Sequence, residues 1–521
     1  MFFEDRIMIG KAGETPVLLY PEMLCRHGLI TGATGTGKTT TLKVFAESLS
    51  DMGVPVFLAD VKGDIGGLIR PGGDSEKAHA RAESMGVLEE GFRYHKFPVN
   101  FWDVFGKTGM PLRTTVSELG PLLLSRVLDL TDIQSDILTI LFKIADDEGL
   151  LLIDLKDLKA MIQYVTERRK EYMSVYGNMS PQSLAAVLRA VVALETEGAE
   201  AFIGEPAISI RDWLTVTEEG RGVIQLLDCR ELFLKPRMYA MFLLWLMSEL
   251  YETLPEAGDL EKPKMVFFFD EAHLLFENAP RLLREKIQQV VKLIRSKGVG
   301  VYFITQSPSD LPDEVLAQLG NKIQHALHAY TPAEQKKLRA AAMSLRTNPD
   351  FDTLTVLQEL ATGEALVSVL DPDGVPTVVE RTKILPPESF MGTISEEARI
   401  AHIEQSLLYG KYRESVDRDS AFEFLERRRI EIEKEELAAI EAEAKAAAEE
   451  AERKAQEKQR QSALKRADRE AKQAAKTVTG TVGREIGKTV GGKLGGSFGK
   501  KLGANLGAQL GRGLIGTFFG R

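Results

Sequence analysis

Gly32-Ala33-Thr34-Gly35-Thr36-Gly37-Lys38-Thr39 is the stretch on which the fold turns. It satisfies G-x-x-x-x-G-K-[ST], a pattern with physical meaning only when a strand enters it and a helix leaves it. Both flanks fit. His27-Gly28-Leu29-Ile30-Thr31 is a brief apolar strand, and a helix is predicted from about Lys38 to Ser50. Glycines let backbone N–H groups turn inward around phosphate oxygens where side chains would intrude, and the helix N-terminus adds a favourable field. The reading assigns Gly32, Ala33, Thr34, Gly35, Thr36, Gly37, Lys38, Thr39 and Thr40 to nucleotide binding. Lys38 would reach the β- and γ-phosphates of ATP, and the Thr39 hydroxyl would sit on Mg²⁺.

Working outward, Val54 to Ala59 is a continuous apolar run ending in Asp60, as expected of a strand buried on both faces. Similar runs recur at Gly222–Leu227, Met265–Asp270 and Gly298–Thr305. Apolar strands separated by helices imply an α/β fold with a mostly parallel sheet. Such sheets place ligands at the carboxyl ends of their strands, and three strand ends carry chemistry. Asp270 is expected to hold the metal and Glu271 to orient and deprotonate a water, against the bland alternative that the pair caps the next helix. Gln306, after Thr305, can donate and accept at once, which suits a γ-phosphate sensor as well as it suits a satisfied sheet-edge amide. Arg295, in Leu293-Ile294-Arg295-Ser296-Lys297-Gly298, either complements a helix C-terminus or reaches a neighbouring subunit's ATP as an arginine finger. His273 reads as a helix-surface or supporting histidine.

Between Thr114 and about Gly198 the periodicity is helical, at Ile133–Ile144, Leu155–Val165 and Ser183–Leu194, and reads as an insertion. Its run Arg168-Arg169-Lys170 suits either a solvated face or DNA phosphates in a pore. Glu364–Leu370 and Val375–Val379 are expected to form a hairpin closed by Asp371-Pro372-Asp373-Gly374. From Phe422 to Lys476 an Ala/Glu/Lys/Arg-rich stretch reads as a long solvated helix or a coiled coil, with weak heptads. Beyond it a large apolar residue followed by glycine recurs every four positions, from Val482-Gly483 to Leu510-Gly511. Four residues overshoot a helical turn by ~40°, so such a tail packs helices only over short stretches. It suits a membrane-surface or helix-packing contact, or an unstructured tail. The expected divisions are 1–113 (core with the glycine loop), 114–215 (helical insertion), 216–395 (core with acidic pair and sensor), 396–476 (charged helix) and 477–521 (glycine-repeat tail).

The chain has 521 residues, 44% hydrophobic and 27% charged, ample for a large core. Its net charge of −10 advertises no nucleic-acid partner globally. Two distant cysteines, Cys25 and Cys229, argue against disulfides and zinc and suit buried thiols in a reducing compartment. Glu4, Asp5 and Arg6 break any signal-peptide pattern, and the longest apolar run, Tyr239–Met247, is too short to cross a bilayer, so cytoplasmic residence is expected.

Taken together, the glycine loop, Asp60-Val61-Lys62-Gly63-Asp64, Asp270-Glu271-Ala272-His273, Arg295-Ser296-Lys297-Gly298-Val299-Gly300 and Thr305-Gln306-Ser307-Pro308 resemble the HerA/FtsK superfamily, and more narrowly the bacterial HerA-helicase-like ATPases. The resemblance covers roughly residues 5 to 390. It implies a RecA/FtsK-like P-loop core, a hexameric ring acting on double-stranded DNA, and a nuclease partner. It also implies Lys38, Thr39, Asp270, Glu271 and Gln306 in one site, with Arg295 acting in trans. Some superfamily members move protein instead of DNA. Residues 1–28 read as a short extended lead-in, and about 28 residues before the loop are too few for the N-terminal β-barrel typical of HerA proteins.

Overall fold

The glycine loop is carried on β4 (Gly28–Thr31), near the middle of a sheet that is thirteen-stranded among the described residues. The computed structural model describes residues 1–258, 260–277 and 281–473. In chain order the other strands are β1 (Phe2–Phe3), β2 (Arg6–Ala12), β3 (Thr15–Leu19), β5 (Val56–Asp60), β6 (Val99–Asp103), β7 (Met110–Pro111), β8 (Ile224–Asp228), β9 (Met265–Phe269), β10 (Val299–Thr305), β11 (Asn321–His325), β12 (Glu364–Ser368) and β13 (Glu380–Ile384). Their spatial order is β1-β2-β13-β12-β11-β4-β10-β9-β5-β8-β6-β7, with β3 on β2. From β11 to β7 every pairing is parallel, and from β12 to β1 every pairing is antiparallel. The expected α/β, mostly parallel architecture is therefore present, with an antiparallel extension built from the N-terminal lead-in and the hairpin.

The helix Lys38–Asp51 follows the loop and lies on the sheet through Phe45, whose ring meets Phe268 and Tyr302 edge-on at centroid separations of 5.3 and 4.8 Å. On the other side of the strands, Phe57 stacks on Trp213 at 5.0 Å and leans on Phe267. The elements between β7 and β8 are helical, and Val116, Leu138, Leu158 and Val187 of these helices are buried. The apolar run at Tyr239–Met247 lies inside the buried helix Pro236–Thr253. Among the described residues no helix is long and apolar enough to span a membrane.

Three expectations need correction. The turn at Asp371–Gly374 forms, with the Gly374 N–H donating to the Asp371 carbonyl at 2.8 Å, but the strand returning to β12 is Glu380–Ile384. Val375–Val379 makes only an isolated bridge, Leu370 to Pro376, flanked by the Asp371 N–H on the Val375 carbonyl and the Thr377 N–H on the Val369 carbonyl, after which the Val379 N–H turns to the Arg346 carbonyl. The lead-in is not merely extended: β2 pairs with β13 and carries β1 and β3. Cys229 is buried as expected, whereas Cys25 is only partly so, since it lies in the surface turn Pro21–Arg26.

The last described element is the helix Ala421–Gln473. Its first turns pack on the core through Ala421 and Leu425. The glycine-repeat tail falls outside the described residues.

Gly28 fixes the centre of the sheet: a Cβ there would stand 2.2 Å from the Tyr302 ring on β10 and 2.8 Å from the Asn321 carbonyl on β11. Gly28→Ala is expected to cost about 1–3 kcal/mol of stability through overpacking, read from the denaturant midpoint, with partial recovery on adding Tyr302→Ala. An unchanged midpoint for Gly28→Ala would show that β4 is not confined as described.

Candidate functional site

The loop leaves β4 at the carboxyl edge of the sheet and is clamped on both sides. The Gly32 N–H donates to the Gln306 carbonyl at the end of β10 (3.2 Å), and the Ala33 N–H donates to the Ala326 carbonyl just past β11 (2.9 Å). Gly32, Gly35 and Gly37 all have positive φ, at 151°, 80° and 116°, and a Cβ on Gly32 would come within 2.4 Å of the His325 Cβ. Lys38 is buried and curls back over the loop, its ammonium donating to the carbonyls of Gly32 (2.6 Å) and Ala33 (3.0 Å). Burial pulls its pKa down, opposed by the nearby Glu271 carboxylate. Among the described residues, the N–H groups of Gly35, Gly37, Lys38 and Thr39 have no acceptor within the protein, so the turn presents a concave set of donors at a helix N-terminus.

The acidic pair stands two strands away, at the end of β9, with β10 between. Asp270 is buried, and this desolvation pushes its carboxyl up to about 6, against the pull of the Lys62 ammonium. Glu271 has left-handed backbone (φ 49°), held by the Ala272 N–H donating to the Ile304 carbonyl on β10 at 2.8 Å. That unfavourable conformation turns the chain sharply at the strand end. One oxygen of each carboxylate, Asp270 Oδ2 and Glu271 Oε2, is buried without a hydrogen-bond partner. Lys62 stands over the pair, 2.7 Å from Glu271 Oε1 and 3.9 Å from Asp270 Oδ2. Burial would lower the Lys62 ammonium, but the two carboxylates outweigh it and hold its pKa above the ordinary value.

Gln306 exposes its side chain into a cavity of about 720 Å³ that His273, Phe276, Arg284 and Asp310 also line. His273 Nδ1 lies 3.4 Å from Glu271 Oε2, beside the acidic pair and not on a remote helix surface. The structure thus gathers Lys38, Asp270 and Glu271 through one shared electrostatic neighbourhood, with Gln306 bonded to the loop by its backbone. Arg295 is elsewhere. It lies in the turn Ile294–Lys297 before β10 begins, close enough to His27 for its charge to add to the burial that lowers that imidazole to about 4. His27 precedes β4 and the loop follows it, so Arg295 sits at the opposite edge of the sheet from its own chain's loop. Arg168 is engaged with the Tyr164 hydroxyl at 3.2 Å and Glu171 at 3.8 Å.

A model of the family described as helicase HerA-like C-terminal matches residues 5–521. The chain belongs to that family. It is a HerA-like member of the P-loop ATPases. A probable helicase of Methanocaldococcus jannaschii, MJECL08, is 32% identical over 124 residues, which cover 23% of this chain and only 22% of that one. Among solved structures, the bacterial conjugative coupling protein TrwBdeltaN70 aligns with a TM-score of 0.50 at 15% identity, over 75% of this chain and 91% of that one. VirB4 of Thermoanaerobacter pseudethanolicus aligns at 0.45 and 16%, over 74% and 98%. The first of these likenesses shows a shared fold.

Several residues of this HerA-like site were not assigned from sequence. His325, fully buried on β11, donates from Nδ1 to the Glu364 carbonyl and, being neutral, accepts at Nε2 from the Thr41 hydroxyl, each at 2.9 Å. Burial holds it neutral, lowered to about 4, so it props the loop and the first turn of the helix without adding charge. Arg81 donates to the Gly363 carbonyl at 2.6 Å, and the Gly363 N–H donates to the Thr36 carbonyl at 2.9 Å, bracing the loop from a third side. Lys62 had a signal, a cation at a strand end between Asp60 and Asp64. His325 had none, because its partner Thr41 is 284 residues away in the chain.

The raised pKa of Asp270 has a signed consequence. The folded carboxyl titrates at about 6 against an ordinary 3.8, so burying the anion weakens the folded state as pH rises through that window and costs nothing below it. In nucleotide-free protein, Asp270→Asn is expected to raise stability by about 1–3 kcal/mol at pH 7.5, a gain that vanishes below pH ~4 in denaturation series. A gain that persisted at low pH would assign the effect to packing.

Proposed function

We propose that this chain binds ATP with Mg²⁺ at the loop after β4, hydrolyses it in a hexameric ring, and uses the turnover to translocate on or remodel double-stranded DNA. The observation that carries the reading is the pairing of a loop of unsatisfied N–H donors with two buried, unpartnered carboxylate oxygens across one intervening strand. The donor set fits the groups concerned: N–H groups and Lys38 for phosphate oxygens, the Thr39 hydroxyl and the Asp270 carboxylate for a hard divalent cation. When bound, that cation neutralises charge on the β- and γ-oxygens. Glu271, the less buried acid, orients the attacking water and takes its proton. Lys62 must then give up its hold on Glu271 Oε1, because a carboxylate paired to an ammonium is a poor base. Gln306 reads the γ-phosphate from the strand between, so its backbone bond to Gly32 couples sensor and loop.

The position of Arg295 at the far edge of the sheet supports a role towards a neighbouring subunit's ATP, since its own loop is out of reach. We further divide the chain at 113/114, 215/216, 395/396 and 476/477, with 114–215 and the C-terminal segments as additions to the core. Duplex DNA is the substrate best supported, by the helicase family and by the probable-helicase relative.

Lys38→Ala should lose nucleotide affinity, while Glu271→Gln should keep ATP bound and slow turnover by about 10²-fold or more. Equal affinity loss in both would contradict the separate roles. Turnover measured with and without duplex DNA, alongside particle mass in ATP, tests the motor. A ring with DNA-stimulated turnover supports it; a ring indifferent to DNA moves the reading to a protein substrate. Arg295→Ala should assemble and fail to turn over; full activity would remove the trans role.

A further inference from the structure

The helix Ala421–Gln473 has an electrical asymmetry that the ATPase reading does not use. From Glu431 to Glu452 it carries nine glutamates and two lysines, net −7; from Arg453 to Arg466 it carries six cations and Glu457, net +5. The sign changes between two adjacent residues, Glu452 and Arg453. Almost every residue from 431 to 466 is exposed, including Leu437 at 51% and Ile440 at 54%.

A long helix that stays single in water is held up by opposite charges four residues apart all along its length. Segregating the signs forgoes most of those pairs. Among the described residues beyond 430, one ion pair is formed, Lys454 to Glu450 at 2.6 Å, and it straddles the boundary. Glu431 and Glu435, and Lys454 and Lys458, are like charges at the same spacing and oppose the helix. Opposite charges do stand four apart at Glu441/Lys445, Lys445/Glu449, Glu449/Arg453, Glu450/Lys454 and Arg453/Glu457, but they gather towards the boundary, and each half keeps a large net charge that its own residues do not balance. A partner with the opposite sign in each half balances it, and the chain itself supplies one when a second copy runs antiparallel.

We infer that residues 431–473 pair antiparallel with the same segment of a second copy, centred on the Glu452/Arg453 boundary. Centred there, each acidic half lies along the other copy's basic half, so that Ile440 faces Lys465 and Ala444 faces Gln461. Leu437, Ile440, Ala444, Ala447, Ala448, Ala451 and Ala455 fall within a ~100° stripe at 3.6 residues per turn, and in this register Ile440, Ala447 and Ala451 meet Lys465, Lys458 and Lys454 of the other copy, whose aliphatic stems cover them. A parallel pair would set acidic half against acidic half and basic half against basic half. The inference stands apart from nucleotide chemistry, because it uses no residue of the glycine loop or of the acidic pair.

Disulfide trapping in the full-length chain tests it. Mixing Ala444→Cys chains with Gln461→Cys chains under mild oxidation is expected to give a linked dimer on a non-reducing gel, while Ala444→Cys alone gives little. The chain without an added cysteine controls for Cys25 and Cys229. Reversing the basic half (R453E, K454E, K458E, R460E) should abolish the link, and so should reversing the acidic half (E441K, E443K, E449K, E450K), whereas mixing the two reversed chains should restore it. The helix face is exposed in the monomer, so the reversals leave the core folded, which circular dichroism and nucleotide binding verify. Ready self-linking through Ala444→Cys with none between positions 444 and 461 would overturn the antiparallel arrangement. Links indifferent to both reversals would overturn the electrostatic pairing. Loss of ATP turnover with intact linking would count against the ATPase reading alone.

Discussion

The confinement of β4 between β10 and β11 is the constraint on which the rest depends. Gly28 admits the Tyr302 ring where any side chain would collide, and Gly32 admits His325 in the same way directly after the strand ends. With both glycines in place, the loop's first two N–H groups are consumed by carbonyls of the flanking strands. The Thr36 N–H turns back to the Ala33 carbonyl, and those of Gly35, Gly37, Lys38 and Thr39 have no acceptor among the described residues. The clamp is rigid because its partners are buried backbone atoms and a neutral imidazole, none of which needs to move or titrate near neutral pH.

Across β10, the acidic pair illustrates the opposite strategy. Burial leaves Asp270 poorly stabilised as an anion, and the cation that stands over it is Lys62, whose long stem lets the ammonium sit on the pair or leave it. A structural salt bridge would be closer and fully satisfied. Here two carboxylate oxygens remain unmet, which is the electrostatic state that a divalent cation or a polarised water best relieves.

The same logic, charge left unsatisfied within the chain, recurs on the helix beyond residue 430. There the unmet charges are exposed and salt-screened, so each is worth little. Their segregation into halves is what gives them direction, since the sum over the length discriminates antiparallel from parallel pairing far better than it contributes affinity.

The sequence alone determined the α/β class, the loop, the acidic pair, the strand ending before Gln306 and the long charged helix, because each is encoded in contiguous residues: an apolar run, its terminal polar group, a glycine pattern or a charge repeat. It also placed the hairpin turn, through Asp371 and Gly374, although not the strand after it, whose ladder starts only at Glu380, once the Val379 N–H has turned to the distant Arg346 carbonyl. What only the tertiary structure decided involves partners far apart in the chain. β11 is short and mostly polar, Asn321-Lys322-Ile323-Gln324-His325, and is a strand because β4 and β12 saturate its backbone. His325 on Thr41, Gly363 on Thr36 and Lys62 on Glu271 join segments that no local pattern connects. Local periodicity records how a segment meets the core; which segments meet each other is fixed by the close packing of the whole sheet.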